Sequence, residues 1–371
     1  MKIVYDNQIF STQRYGGISR YFCNLANGMS KLDGFDVNVF APFHINQYLR
    51  ELNQAVVFGS HFDSNFRGST RLKNYGLKVA PLLYGLLNRN IDVIHETYYS
   101  NQSIGKSRYR VLTVYDMIHE LFPNQINPSP VVLAKKNAVA RADHIICISN
   151  STKIDLIRLL GVNPNKISVI HLGYSLNVDR HDITICEKLT KPFLLYVGSR
   201  DGYKNFLPFC NAYSNSFSLK EEFDVVAFGG GIFTEHELFE FNKLGIESKI
   251  HHINGNDNLL ASYYRLASLF VYPSLYEGFG IPPLEAMSYD CPVACSNNSS
   301  IPEVVGNAGF YFDPYSIDSM TNVIESALAQ PGEIQRKIKN GRERIKMFSW
   351  DRCVDKTKEV YCSLAGRDRR Q

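Results

Sequence analysis

ASLFVYPSLYEGFGIPPLEAMSYDCPVACS, residues 267–296, sets the architecture of this chain. It opens on one apolar run, ASLFVYPS (267–274), and closes on another, CPVACS (291–296). Both are short and bounded by turn residues, so each reads as a strand buried on both faces. Between them Gly278 and Gly280 mark a turn. Pro282 and Pro283 sit where a helix begins, because proline fits the first helical turn. Strand, helix and strand in this order predict two parallel strands joined by a crossover helix.

The same alternation extends outward. PFLLYVGS (192–199), FDVVAFGG (223–230) and SKIHHIN (248–254) complete five strand-like runs in the second half, with a last helix near 315–330 preceded by AGFYFDP. In the first half KIVYD (2–6), DVNVFAP (36–42), IDVIHETYY (91–99), RVLTVYDMI (110–118), ADHIICIS (142–149) and KISVIHLGY (166–174) read as strands. Ile18, Phe22, Leu25, Met29 and Leu32 recur at helical spacing, and another helix is expected around 130–141. SNSTKIDLIRLLG is a helix with Ser149 and Asn150 as cap candidates and Gly161 as its stop. SLNVDRHDITICEKLTK (175–191) is polar and aperiodic, a linker. The pattern predicts an α/β protein with two doubly wound, Rossmann-like domains, 1–175 and 190–345, and a terminal amphipathic helix at 350–364.

The bulk composition fits. A chain of 371 residues exceeds one typical core, and 44% hydrophobic with 20% charged residues is globular. Net charge of +4 is mild, compatible with anionic small molecules but giving no reason to expect nucleic acid. The eight cysteines show no CxxC pair or zinc spacing and read as reduced thiols. No signal peptide and no apolar run of the ~20 residues needed to span a bilayer is visible, so a cytoplasmic enzyme is expected. Within FRGSTRLKNYGLKVAPLLYGLLNRN (66–90), Arg67, Arg71, Lys73, Lys78 and Arg89 interleave with leucines, the pattern of a membrane-surface segment or of a helix covering the first sheet.

Ligands of such sheets sit in the loops after strands. Gly16 and Gly17 follow the first strand and precede a helix, where backbone amides can approach an anion. The spacing is not GxGxxG, which argues against a dinucleotide. Arg200 and Lys204 lie just past a strand ending at Gly198 and suit a diphosphate, although solvated loop charge is the plainer alternative. FGGGIF (228–233) is a further glycine-rich turn, and Asn256, Asp257 and Asn258 form an N-cap pattern. Glu285 is expected in the first turn of the helix opened by the prolines, where the helix dipole favours a carboxylate. Glu277 has no such explanation and reads as a ligand contact. His95 and Asp116 stand at strand ends in the first half, followed by His119 and Glu120.

SLYEGFGIPPLEAMSYDCPVACSNNSSIPEVVGNAGFYFDP closely resembles glycosyltransferase family 4, retaining enzymes of the GT-B fold, in which two Rossmann-like domains face one another across a cleft. Glu277 and Glu285 match its E-x7-E signature, YVGSRDGYKN its donor-site cations, and QRYGGISRYF its glycine-rich acceptor-side loop. RADHIICISNSTKIDL and ISVIHLGY extend the likeness to nearly the whole chain. The resemblance implies that Glu285 bonds the donor ribose and that Glu277 with the amides of Gly278, Phe279 and Gly280 holds the transferred sugar. Arg200 and Lys204 would neutralise the diphosphate leaving group in place of a metal, and Gly16 and Gly17 would close against it. The terminal helix would cross back onto the first domain.

Many members carry a His-Asp pair where this chain has Tyr115 and Asp116, which leaves His95 and Asp116 as first-domain candidates for the sugar. GGISRY and VYDMIHELFP look most like bacterial O-antigen or capsule mannosyltransferases. The implied reaction moves a hexose from GDP-mannose to a polyprenyl-linked glycan, with 66–90 docking on the inner face of the inner membrane. A UDP-sugar donor, a nucleotide-sugar epimerase and a silent sugar-binding subunit are the alternatives. A silent subunit would be expected to have lost Arg200, Lys204, Glu277 or Glu285, and the block around Glu277 argues against an epimerase.

Overall fold

The computed structural model describes residues 1–62, 84, 90–123, 129–174, 191–200 and 202–367. The basic segment 66–90 therefore lies outside the described residues except for Tyr84 and Asn90, as does all but Lys191 of the 175–191 linker. The chain forms two compact units, Met1–Gly173 with Ser349–Gln371, and Tyr174–Phe348.

The first unit is built on a seven-stranded sheet. Its strands are β1 (Lys2–Tyr5), β2 (Asp36–His44), β3 (Val57–His61), β4 (Val93–Glu96), β5 (Tyr109–Val114), β6 (His144–Cys147) and β7 (Ile167–Val169). They lie in the order β3-β2-β1-β4-β5-β6-β7, and every pair is parallel. Helices cover the sheet, so Ile3, Val4, Val93, Ile94, Val111, Leu112, Ile145 and Ile146 are wholly buried, each worth ~1.5–3 kcal/mol over exposure. Ser149 caps the helix Asn150–Leu160 by accepting from Thr152 N, and Gly161 ends it. The helix Trp350–Arg367 packs within this unit against the helix Gly17–Met29, with Tyr361 Oη 2.6 Å from His95 Nδ1. Gly173 lies directly against its start: a Cβ there would fall 2.4 Å from Trp350 N.

The second unit carries six parallel strands. These are β8 (Phe193–Val197), β9 (Asp224–Phe228), β10 (Ile250–Ile253), β11 (Leu269–Tyr272), β12 (Val293–Ser296) and β13 (Gly309–Phe312), ordered β10-β9-β8-β11-β12-β13. β3 and β13 are additions to the sequence-based expectation. Both are edge strands, β3 being mostly exposed and β13 a run of only four residues. In β3 the residues face outward, Phe58 being half exposed. Among the described residues no helix is long and apolar enough to cross a membrane.

Candidate functional site

In both sheets the strand order reverses at one point, between β1 and β4 and between β8 and β11. The connections leave such a point in opposite directions, so the space beyond the carboxyl ends of these strands stays open to ligand. In the second unit the loop after β8 carries Arg200 and Lys204, and the loop after β11 carries Glu277 to Gly280. Parallel pairing of Leu269 with Leu194 aligns the two strands so that both loops emerge together.

Lys204 and Glu277 meet there. Lys204 Nζ donates to Glu277 Oε1 at 2.7 Å, with Glu277 only 7% exposed. The backbone around Glu277 is fixed from three sides. Leu275 N donates to Tyr203 O (2.8 Å) and Glu277 N to Ser299 Oγ (2.9 Å), while Ser300 Oγ bonds the carbonyls of Glu277 and Phe279, both at 2.8 Å. The Phe279 ring turns into the core against Phe348, so only its backbone remains for a ligand. Gly280 then takes φ +113, a conformation that side-chain-bearing residues rarely adopt, and the helix Ile281–Ser288 starts with its prolines in the first turn.

Glu285 departs from the expectation. It is the fifth residue of that helix, beyond the first turn, so the dipole gives it little support. Its Oε2 instead accepts from Tyr264 Oη at 3.3 Å. Burial pushes the Tyr264 phenol well above its ordinary range, and the Glu285 carboxylate adds to that.

Arg200 departs further. Its Nε donates to Glu237 Oε1 at 2.5 Å, Nη1 to Gly229 O at 3.0 Å and Nη2 to Ile232 O at 2.9 Å. The guanidinium also stacks 4.8 Å from the Phe233 ring, and the side chain is 4% exposed. The cation expected to meet a diphosphate beside Lys204 is thus taken up by the loop after β9.

In the first unit Gly16 and Gly17 do open the helix Gly17–Met29, and Gly17 has open space above it. The Gln13 side chain occupies the space above Gly16 and accepts from Ser19 N. His95, expected at an accessible strand end, is wholly buried. Its Nδ1 meets Tyr361 Oη and its Nε2 meets Thr113 Oγ1 at 2.8 Å, and burial lowers its pKa to about 3. It is a neutral core residue in this structure, out of reach of a ligand. Tyr115 is buried as well, donating to Thr97 O at 2.8 Å.

Asp116 is half-buried and folds back on its own turn, accepting from Ile118 N at 3.0 Å. Lys135, fully buried, ties the region together: its Nζ donates to Asp116 O (2.9 Å) and pairs with Glu120 Oε2 (2.7 Å). His119 Nδ1 is buried with no partner among the described residues.

Sequence reasoning missed Glu237, Lys135, Tyr264 and the Ser299–Ser300 pair as supports. Glu237 had a signal, since Thr234 and Glu237 form a T-x-x-E capping box. Lys135 had none, because nothing local distinguishes a buried lysine from its exposed neighbour Lys136. Asn256 takes the cap role anticipated for its cluster, accepting from Leu259 N.

Two Rossmann-like units of this size and strand order define a protein of the GT-B fold class. The chain belongs to the glycosyltransferases: residues 15–178 match the model of Glycosyltransferase Family 4 and residues 181–344 that of Glycosyl transferases group 1. O-antigen chain mannosyltransferase B of Escherichia coli is 30% identical over 227 residues, 58% of this chain and 60% of that protein, so the match spans less than two thirds of that relative. O-antigen chain mannosyltransferase RfbU of Salmonella typhimurium is 25% identical over 334 residues, 86% of this chain and 89% of the relative. Among solved structures, Anabaena HepE in complex with UDP and glucose superposes with a TM-score of 0.72 at 17% identity, covering 98% of this chain and all of that one, a likeness of fold.

Proposed function

We propose that this protein is a retaining, metal-independent glycosyltransferase that moves mannose from GDP-mannose to a polyprenyl-linked glycan in O-antigen or capsule assembly. The observation that carries this reading is the Lys204–Glu277 pair at the switch point of the second unit, held at 2.7 Å by loops from adjacent strands. A cation and a rigid carboxylate side by side suit a ligand that joins a diphosphate to a hydroxyl-rich ring. Lys204 stabilises the negative charge that builds on the diphosphate as it leaves. Glu277, with the backbone of Gly278, Phe279 and Gly280, orients the sugar, and Glu285 with Tyr264 beneath it receives the ribose.

In the step itself the bond from the anomeric carbon to the diphosphate oxygen breaks. A bond from that carbon to the acceptor oxygen forms on the same face, and the acceptor proton passes to the departing phosphate. No covalent enzyme intermediate is needed. Asp116 is the first-unit residue we assign to the transferred sugar, with Gly16 and Gly17 assigned to the diphosphate. The resemblance to mannosyltransferases supports the sugar. The basic segment 66–90 is assigned to an anionic membrane surface.

The test is a donor panel of GDP-mannose, GDP-fucose, UDP-glucose and UDP-N-acetylglucosamine, with and without EDTA, read by thermal shift and by donor turnover. GDP-mannose alone should stabilise the protein and turn over, unaffected by EDTA, and the product should keep the donor's anomeric configuration by NMR. Selective response to a UDP-sugar would replace the donor. No response to any of them would remove the reading. Anionic liposome binding should fall when Arg71, Lys73 and Lys78 are neutralised.

A further inference from the structure

The loop after β9 is unusual in its backbone. Gly229, Gly230 and Gly231 all lie in the left-handed region, at φ +83, +72 and +75. Gly229 N still joins the β9–β10 ladder by bonding Ile253 O, but Gly230 and Gly231 lie beyond it, and glycines this free need an external template to hold one conformation. Arg200 is that template. Its guanidinium grips the carbonyls at both ends of the turn, Gly229 O and Ile232 O, and a Cβ on Gly230 would fall 2.8 Å from its Nη1. Glu237 fixes the guanidinium in turn, accepting from Nε and Nη2 (2.5 and 3.3 Å). Glu237 is itself anchored, its Oε2 taking the Thr234 N–H at 2.7 Å. Burial acts to raise the Glu237 carboxyl, but Arg200 and Thr234 outweigh it and hold it below its ordinary range.

The Gly229 and Ile232 carbonyls are turned to Arg200, which leaves the amides of the loop to be accounted for. Gly229 N is taken by Ile253 O at 2.8 Å. Among the described residues no hydrogen bond takes up the amides of Gly230 or Gly231. Two consecutive amides without a protein acceptor in a turn can receive an electronegative atom of a ligand.

We infer that Arg200 is a positioning residue, latched by Glu237, that shapes the Gly229–Ile232 loop for the nucleotide part of the donor, while Lys204 is the cation that meets the diphosphate. This rests on the glycosyltransferase reading above. It assigns the neighbouring cations separate tasks: Lys204 supplies charge, and Arg200 supplies backbone geometry.

The two roles separate by ligand and by substitution. GDP, UDP and ADP, with guanosine, uridine and adenosine, are titrated calorimetrically into the wild type and into Arg200→Lys, Glu237→Gln and Lys204→Ala. If Arg200 positions the loop, Arg200→Lys weakens nucleoside and nucleoside diphosphate alike, by roughly tenfold, because the donors of an ammonium sit on one nitrogen and cannot span the acceptors that Nε, Nη1 and Nη2 of the guanidinium reach separately. Glu237→Gln should reproduce that loss, and the double variant should add little to either single one. Lys204→Ala should weaken the diphosphate only. In turnover, Arg200→Lys should raise the donor KM while kcat at saturating donor stays within about twofold.

The inference is overturned if Arg200→Lys retains diphosphate binding and Glu237→Gln has no effect, or if loss of Arg200 spares the nucleoside and weakens only the diphosphate. The donor-site reading stands in either case. If the wild type binds none of the six compounds, that reading falls and the inference with it. Glu237→Gln, which keeps volume but loses one acceptor oxygen and the charge, serves as the test if Arg200→Lys lowers the melting temperature sharply.

Discussion

Lys204 Nζ and Glu277 Oε1 are in contact at 2.7 Å although 73 positions separate them in the chain. Parallel pairing of β8 with β11 makes this possible, and neither side chain is freely solvated, at 19% and 10% exposure. Removing Lys204 takes from Glu277 its cation while Tyr272 stays bonded to it, and removing Glu277 takes from Lys204 a partly buried carboxylate.

Lys204→Ala is expected to cost ~1–3 kcal/mol of stability, read in urea melts, and to weaken nucleoside diphosphate binding by about tenfold or more. Glu277→Ala should leave nucleotide affinity within a few-fold but lower turnover by about two to three orders of magnitude. Glu277→Ala that turns over donor like the wild type would remove Glu277 from the proposed machinery.

Gly280 has room for a side chain, since a Cβ there would lie 3.8 Å from its nearest neighbour, yet its φ is +113. Gly280→Ala should therefore cost ~1–3 kcal/mol from backbone conformation alone. Gly332, in the helix Pro331–Ile345 with nothing near its Cβ position and an ordinary φ, is the contrast. Gly332→Ala should be neutral or stabilising by up to ~1 kcal/mol. Chemical denaturation of the two variants checks both signs.

His95 gives a pH dependence. Burial sets its pKa at about 3 in the folded protein, below the ~6.5 of an unfolded chain. The unfolded state takes up the proton first, so this contribution is complete above pH ~6.5 and is lost as pH falls toward 3. Asp6 works in the opposite direction, since burial raises its carboxyl to about 7. The difference between wild type and His95→Asn isolates the histidine. It should shrink by up to ~1.4 kcal/mol for each pH unit between about 6 and 4. Tyr361→Phe, which strips His95 Nδ1 of its partner, should cost ~1–3 kcal/mol at neutral pH.

The central strands were legible in the sequence because parallel strands buried on both faces leave continuous apolar runs such as FLLYV and LFVY. β3 was not, since VFGSH is mostly exposed and carries no comparable run, and β13, although apolar as GFYF, was read only as the approach to the helix that follows. At the site, loop position after a strand located Lys204 and Glu277. It could not say where a long side chain turns, so Arg200 and His95 were placed on the open side when one grips a neighbouring loop and the other fills the core. Counting from the prolines also put Glu285 one step too early, because the helix begins at Ile281.

Gly173, where the chain leaves the first unit, lies against the Ser349–Trp350 peptide, where it returns. Everything from Tyr174 to Phe348 is thus a guest inserted at a single point of its host. The host's own ends are already joined in space, so a linker of a few glycines and serines from 173 to 349 should close it with its terminal helix in place. The guest could then be exchanged for that of a relative without redesigning the host, so the proposed division of donor and acceptor between the two units can be tested by grafting.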